Sequence, residues 1–97
     1  MKKALLVALT LGASVAAYGF DAPGKYSQTC AMCHGTGVAG APKAFNEADW
    51  APRLKQGMPA LVNSVTNGKN AMPPKGLCND CTPEQYTALI QYMSKAK

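Results

Sequence analysis

The sequence predicts an all-α fold. Between about residue 23 and residue 94, apolar residues recur at helical spacing, and no stretch alternates apolar and polar residues over the length of a strand. Segments rich in glycine and proline separate these stretches, as expected for loops that join helices. The clearest helix is the last one, whose apolar face consists of Tyr86, Leu89, Ile90 and Met93.

The first 19 residues have the layout of a secretory signal peptide. Lys2 and Lys3 precede an apolar run over Ala4–Ala17, and small residues follow it. A membrane-spanning helix usually needs about 20 apolar residues, and this run is shorter. We therefore expect cleavage after Ala17 or Gly19, export to the periplasm and no stable membrane insertion afterwards. Residues 20–97 are expected to form a single domain.

The charge and the size of this domain limit what it can do. The formal charge of the whole chain, +5, falls to +3 when Lys2 and Lys3 are removed with the leader. The remaining basic residues are scattered, without the run that is typical of nucleic-acid binding, so no nucleic-acid partner is expected. A domain this short has a marginal core and usually needs a disulfide, a metal or a cofactor to fold.

The first half of the domain is expected to contain two helices. The first is predicted from about Pro23 to Cys33, because proline suits the first helical turn. The glycine-rich segment 35–42 follows as a loop. The second helix is short: it begins at Asn46, a good N-cap, and Pro52 limits it or bends it.

The second half is expected to contain two more helices. The third begins near Pro59 and ends at Gly68. Residues 69–81 form a loop marked by prolines and a glycine. The fourth helix follows Thr82, which together with Gln85 forms a capping box.

The strongest functional signal is the segment Cys30-Ala31-Met32-Cys33-His34. Two thiols on one helical turn can add to the two vinyl groups of one haem, and the histidine that follows offers its imidazole to the iron. A thioredoxin-like dithiol would need a βαβ context, which is not predicted. A zinc site that uses all four cysteines would separate its pairs by far more than the roughly 15–20 residues that are usual.

The second cysteine pair, Cys78 and Cys81, is followed by Thr82 and not by histidine. No ligand is therefore placed for a second haem. We interpret the pair as a disulfide that closes a short loop before the last helix, and the alternative is two free thiols.

The sixth iron ligand is expected to be a methionine. His34 is the only histidine, so two histidines from one chain cannot ligate the iron, and His/Met ligation is common in cytochromes c. Met32 lies inside the attachment turn, and Met93 lies on the apolar face of the last helix. Met72 is favoured over Met58, because Met72 lies in a proline-stiffened loop whereas Met58 begins a helix and has a packing role available.

Several segments together resemble a known family. They are Cys30 to His34, Gly40-Ala41-Pro42-Lys43, Trp50-Ala51-Pro52-Arg53, Met72-Pro73-Pro74-Lys75-Gly76 and Cys78-Asn79-Asp80-Cys81, in this order. In this arrangement the sequence resembles a class I c-type cytochrome of the cytochrome c-five family, over nearly the whole predicted domain. The attachment motif is shared by all c-type cytochromes, and the Met-Pro-Pro-Lys-Gly run followed by a cysteine pair is more specific.

The resemblance implies the class I cytochrome c fold, in which about four short helices wrap around one covalent haem c. It implies that Cys30 and Cys33 are the thioether anchors and that His34 and Met72 are the axial ligands. It further implies a disulfide between Cys78 and Cys81. Three more residues are expected beside the haem: Pro42, whose carbonyl accepts a hydrogen bond from His34, and Trp50 and Arg53, which lie near the propionates.

The expected function is that of an electron carrier and not of an enzyme. The iron would cycle between Fe(II) and Fe(III) and pass single electrons between redox proteins such as a respiratory complex, a terminal oxidase or a reductase. No acid–base or nucleophilic constellation accompanies the haem motif, since the only histidine is already used. The alternative is a haem enzyme or gas sensor with a labile sixth ligand.

Overall fold

The computed structural model of the 97-residue chain describes residues 20–95. The predicted signal peptide, residues 1–19, lies outside the described residues. Within them, helical elements are the only regular structure apart from one antiparallel bridge between Lys69 and Met72, which confirms the all-α prediction. The α-helices are α1 (Ala22–Gln28), α2 (Ala31–His34), α3 (Glu47–Leu54), α4 (Met58–Asn67) and α5 (Pro83–Ser94), and short 3-10 turns cover Val38–Gly40 and Pro74–Leu77.

The prediction of one continuous first helix from Pro23 to Cys33 is wrong. The chain forms α1 and α2 instead, with a break at Thr29, where φ is -127° and ψ is -74°. The Thr29 hydroxyl donates to the carbonyl of Lys25 at 2.8 Å, and the Thr29 amide donates to the same carbonyl at 3.0 Å. A threonine side chain that competes in this way for a backbone carbonyl favours a helix end over a helix interior. Cys30 then begins a new turn.

Helix α3 continues past Pro52 to Leu54. The Asn46 side chain accepts a hydrogen bond from the Asp49 amide at 3.1 Å, so asparagine caps the helix as predicted. Near the other end, the Arg53 guanidinium donates to the Asp49 carbonyl at 2.6 Å. The helix therefore extends beyond the proline, and its arginine is held close to the helix surface.

Helix α5 is the most regular part of the fold. The reciprocal hydrogen bonds between Thr82 and Gln85 confirm the predicted capping box. The predicted apolar face is buried as expected, and it consists of Tyr86, Leu89, Ile90 and Met93.

The core lies between α5 and the helices that pack on it, α1 and α4. Tyr26 of α1 contacts the rings of Phe45 and Tyr92 edge-on, with centroids 5.8 and 5.4 Å away. The Phe45 amide donates to the Met93 carbonyl at 2.7 Å, which ties the loop after His34 to the end of α5. No helix within residues 20–95 combines the length and the apolar character needed to cross a bilayer.

Candidate haem-binding site

A cavity of about 370 Å³ opens beside α2. Its wall is formed by the attachment turn, by the loop that follows His34 and by the loop that carries Met72. The predicted site residues that line it are Cys30, Cys33, His34, Pro42, Arg53 and Met72. Residues from opposite halves of the sequence are therefore brought to one space.

The two cysteines of the attachment motif line the cavity as free thiols. Burial raises the pKa of the Cys30 thiol above its ordinary value, and a hydrogen bond from the Thr29 hydroxyl at 3.4 Å opposes this shift only in part. A thiol with a raised pKa stays protonated at neutral pH and is less prone to oxidation. Neither Cys30 nor Cys33 takes part in a disulfide, so both sulfur atoms remain available for attachment.

His34 is buried, with 7% of its surface exposed. Its Nδ1 lies 2.8 Å from the carbonyl oxygen of Pro42. Because a carbonyl oxygen only accepts, Nδ1 is the donor in this hydrogen bond, which leaves Nε2 as the nitrogen that can bind a metal. A histidine whose second nitrogen donates to a carbonyl has a fixed ring orientation and a more basic ligand nitrogen.

Trp50 supports His34 from outside the cavity. The two rings stack at 5.7 Å with an interplanar angle of 26°, and the indole N–H donates to the Lys43 carbonyl at 3.0 Å. The consecutive carbonyls of Pro42 and Lys43 therefore hold both rings. The indole N–H of Trp50 is already bonded to the Lys43 carbonyl, whereas Arg53 lines the cavity. Contact with a haem propionate stays a prediction for both residues.

The histidine–tryptophan stack was not foreseen from the sequence. A separation of sixteen positions that spans a loop and the start of another helix carries no periodic signal. The tryptophan was visible in the sequence as a residue of the site, but its partner was not.

The four candidate methionines are placed very differently. Met72 lines the cavity together with His34. Met58 is the first residue of α4 and packs against the core, and Met93 is buried within that core. Met32 lies in the attachment turn with 72% of its surface exposed. Of the two methionines that the sequence left in competition, only Met72 is among the residues that line the cavity.

The loop around Met72 is closed by backbone hydrogen bonds. The Lys69 amide donates to the Met72 carbonyl at 3.0 Å, and the Met72 amide donates to the Lys69 carbonyl at 2.9 Å. Pro73 is extended, with φ -70° and ψ 157°, before the turn that begins at Pro74. The Met72 side chain is thus carried by a tight turn and not by a flexible segment.

The residues of this cavity fit a haem c. The wall is mainly apolar, which suits a flat macrocycle. Besides the imidazole of His34, the two thiols and the thioethers of two methionines, its polar side chains are those of Thr29, Arg53, Lys69 and Asn70. The zinc alternative finds no support in the described part of the chain. The metal-compatible cluster found there joins Cys78, Asp80 and Cys81 and includes neither cysteine of the attachment motif.

The second cysteine pair lies in the loop that precedes α5. The sulfur atoms of Cys78 and Cys81 are joined in the structure, with Cα atoms 5.5 Å apart. The Tyr86 hydroxyl donates to the Cys78 carbonyl at 2.8 Å, and Lys25 contacts Asp80 at 3.4 Å. The loop is therefore tied to both α5 and α1.

The disulfide is testable by counting thiols. Because Cys78 is only 1% exposed, alkylation must be carried out on the denatured protein. Without reductant we expect no labelled residue, since the expected thioethers would protect Cys30 and Cys33. After reduction we expect label on Cys78 and Cys81 alone. Label on this pair without reductant would show that the disulfide is absent from the native protein.

Removal of the disulfide is expected to destabilise the fold moderately. Replacing Cys78 and Cys81 together by alanine should lower the free energy of unfolding by about 2 kcal/mol, because the closed loop is very short. Alanine is preferable to serine, whose hydroxyl would be buried at residue 78. Thermal or denaturant unfolding of the variant measures the change, and the untreated and reduced wild-type proteins are the controls.

Comparison with known proteins places this geometry in a family. Residues 22–93 match the family described as cytochrome C oxidase, cbb3-type, subunit III. Cytochrome c5 of Azotobacter vinelandii is 44% identical over 78% of this chain and 90% of its own length.

Two solved structures resemble the fold. A mono-heme ferrocytochrome c from Shewanella putrefaciens has a TM-score of 0.70 and 58% identity over 80% of this chain and 96% of its own. A chain from the electron transfer complex of nitrite reductase with cytochrome c has a TM-score of 0.68 and 40% identity over 75% of this chain and 89% of its own. The matched family, the identity to cytochrome c5 and the shared fold lead to one conclusion: the chain belongs to the class I c-type cytochromes of the cytochrome c5 type.

Proposed function

We propose that this protein is a periplasmic electron carrier with one covalently bound haem c and His/Met axial ligation, and not an enzyme. One observation carries the proposal: a single apolar cavity brings together Cys30, Cys33, His34 and Met72. The names of similar proteins, a cytochrome c5 and a mono-heme ferrocytochrome c, support it.

In this proposal each side chain has a distinct part. Cys30 and Cys33 would hold a haem c through carbon–sulfur bonds to its two vinyl groups, with each thiol hydrogen passing to the neighbouring vinyl carbon. The bound group would supply an iron that can alternate between Fe(II) and Fe(III). His34 offers Nε2 on one side, and its bond to the Pro42 carbonyl holds the ring in place.

Met72 decides between a carrier and an enzyme. If its thioether fills the sixth position, no site is left for a substrate or a gas, and thioether ligation favours the ferrous state. The Met72 turn is closed by two backbone hydrogen bonds, which supports a firmly held ligand. A haem enzyme or gas sensor would require this ligand to leave.

The test is a combined mass and optical measurement on the mature protein. We expect the mass of the cleaved chain plus one haem, and a spectrum that changes reversibly when the protein is reduced and reoxidised. Carbon monoxide should leave the reduced spectrum unchanged. A mature protein without added haem would contradict the proposal, and rapid binding of carbon monoxide would favour the enzyme or sensor.

The partners are inferred to be redox proteins, such as a respiratory complex, a terminal oxidase or a reductase. One similar structure is an electron transfer complex of nitrite reductase with cytochrome c, which supports a reductase as one kind of partner. Lys43, Lys69 and Lys75 are exposed, and each lies on or beside a segment that lines the cavity. Their charges can steer an acidic partner towards it.

Steering of this kind predicts a rate that depends on salt. Replacing Lys43, Lys69 and Lys75 by glutamine should slow the oxidation of the reduced protein by a nitrite reductase or terminal oxidase at low salt, and the difference from wild type should shrink as ionic strength rises. Lys55→Gln is the matched control, because Lys55 is exposed at the end of α3 and does not line the cavity. A rate that is independent of ionic strength would rule out steering.

A further inference from the structure

Two glycines lie close to Met72, one near its side chain and one near its backbone. A Cβ atom added at Gly76 would lie 2.9 Å from the terminal methyl carbon of Met72. A Cβ atom added at Gly68, directly after α4, would lie 3.0 Å from the Met72 carbonyl oxygen and 3.0 Å from the Pro74 nitrogen. Both glycines have positive φ, +54° and +87° respectively, a conformation that suits glycine.

Gly76 is held where it stands. It is buried in the turn Pro74–Leu77, its amide donates to the Pro73 carbonyl at 3.0 Å, and the turn packs against α4. Cγ1 of Val65 from α4 lies 3.8 Å from the same added Cβ. The backbone at residue 76 is therefore held by the hydrogen bond of its turn and by the packing of that turn on α4.

The group that can yield is the Met72 side chain. Its methyl end is flexible, whereas the turn and α4 are packed, so a side chain at residue 76 displaces the thioether before it disrupts the fold. A small displacement matters little to packing. It matters greatly if the sulfur must lie at one point in the cavity to bond a metal.

We propose that Gly76 is a positioning residue for Met72. Because residue 76 has no side chain, the Met72 thioether can occupy its place in the cavity, and any side chain at residue 76 would displace it. The inference rests on the proposed role of Met72 as an axial ligand. In this arrangement the glycine of the Met-Pro-Pro-Lys-Gly segment serves the ligand of the same segment, four residues earlier.

The test uses the Gly76→Ala holoprotein and the weak absorption band of the oxidised protein that reports the methionine–iron bond. We expect the band to be largely lost, the reduction potential to fall and carbon monoxide to bind the reduced form, while the helical circular dichroism is retained. Gly37→Ala is the matched control. Gly37 has the same left-handed backbone, φ 80° and ψ 25°, and an added Cβ there meets its nearest neighbour at an ordinary 3.4 Å.

A second variant separates the contact from backbone strain. Val65→Ala in the Gly76→Ala protein opens space beside residue 76, so the band should recover at least in part, and Val65→Ala alone should keep it. The inference is overturned if Gly76→Ala keeps the wild-type band, if Gly37→Ala loses as much of it, or if Val65→Ala restores nothing.

Two outcomes need separate interpretation. If Gly76→Ala does not accumulate as holoprotein, the double variant decides: recovery of holoprotein with the band supports the role of Gly76, and failure to recover overturns it. If Met72→Ala keeps the band, the proposed ligand is wrong, and the role of Gly76 falls with it. Loss of the band in Met72→Ala but not in Gly76→Ala overturns this inference alone.

Discussion

Met72→Ala is expected to open the sixth coordination position of the haem iron, and Met58→Ala is expected to leave it closed. Met72 lines the cavity with His34, whereas Met58 packs against the core at the start of α4. Alanine at residue 72 has no donor atom. The oxidised spectrum should therefore shift to high spin, the potential should fall because a thioether favours the ferrous form, and carbon monoxide should bind the reduced protein.

Met58→Ala is the matched control, because it removes the same side chain from the other methionine that precedes a proline. It should keep the methionine–iron band and lower the free energy of unfolding by roughly 1–3 kcal/mol, since the side chain is half-buried and complete burial would give about 2–5 kcal/mol. The measurements are the optical spectrum, a redox titration and denaturant unfolding. If Met58→Ala abolishes the band and Met72→Ala does not, the ligand assignment is wrong.

Replacing Cys30 and Cys33 together by alanine is expected to abolish covalent haem and, with it, most of the fold. The apolar cavity of about 370 Å³ opens to the surface, so without haem its apolar wall would be exposed to water. A domain of this length has a marginal core and depends on a cofactor or another staple for stability. The chain without haem should therefore be largely unfolded.

The measurements are a haem stain of the denatured protein, its mass and its far-ultraviolet circular dichroism. The control is the Cys78→Ala, Cys81→Ala protein, which also lacks two cysteines and should keep its haem and its helices. A Cys30→Ala, Cys33→Ala protein that is fully helical without haem would show that the described core is sufficient by itself. Covalent haem in that variant would place the attachment elsewhere.

The local elements of this chain were predictable where a few neighbouring residues define them. The capping box of Thr82 and Gln85 starts α5, and the apolar spacing of that helix identifies its buried face. The first helix shows the limit of such patterns. Its apolar spacing continues through Thr29, but the Thr29 hydroxyl bonds to the Lys25 carbonyl and the helix ends there.

The candidate site likewise has one part that the sequence predicts from neighbouring residues and another that depends on the packed fold. The attachment motif is a local pattern, because the chemistry that it serves needs two thiols and an imidazole within one turn. The sequence also offers methionine as the expected sixth ligand, but four methionines compete for the role. Only the packed fold separates them: Met58 and Met93 pack against or within the core, whereas Met72 and the attachment-turn residue Met32 line the cavity.

The sequence by itself determined the all-α class, the attachment motif, the cap of the last helix and its buried face. Each of these depends on residues within a few positions of one another, so backbone geometry alone links pattern to structure. The tertiary structure decided the stack of Trp50 on His34 and the contact of the Met72 methyl group with Gly76. The break after α1 is a local feature that the apolar pattern did not predict. The stack and the Met72–Gly76 contact join residues that become neighbours only when the helices and loops pack together. The break arises because the Thr29 hydroxyl bonds to the Lys25 carbonyl, and a pattern of apolar residues carries no information about that bond.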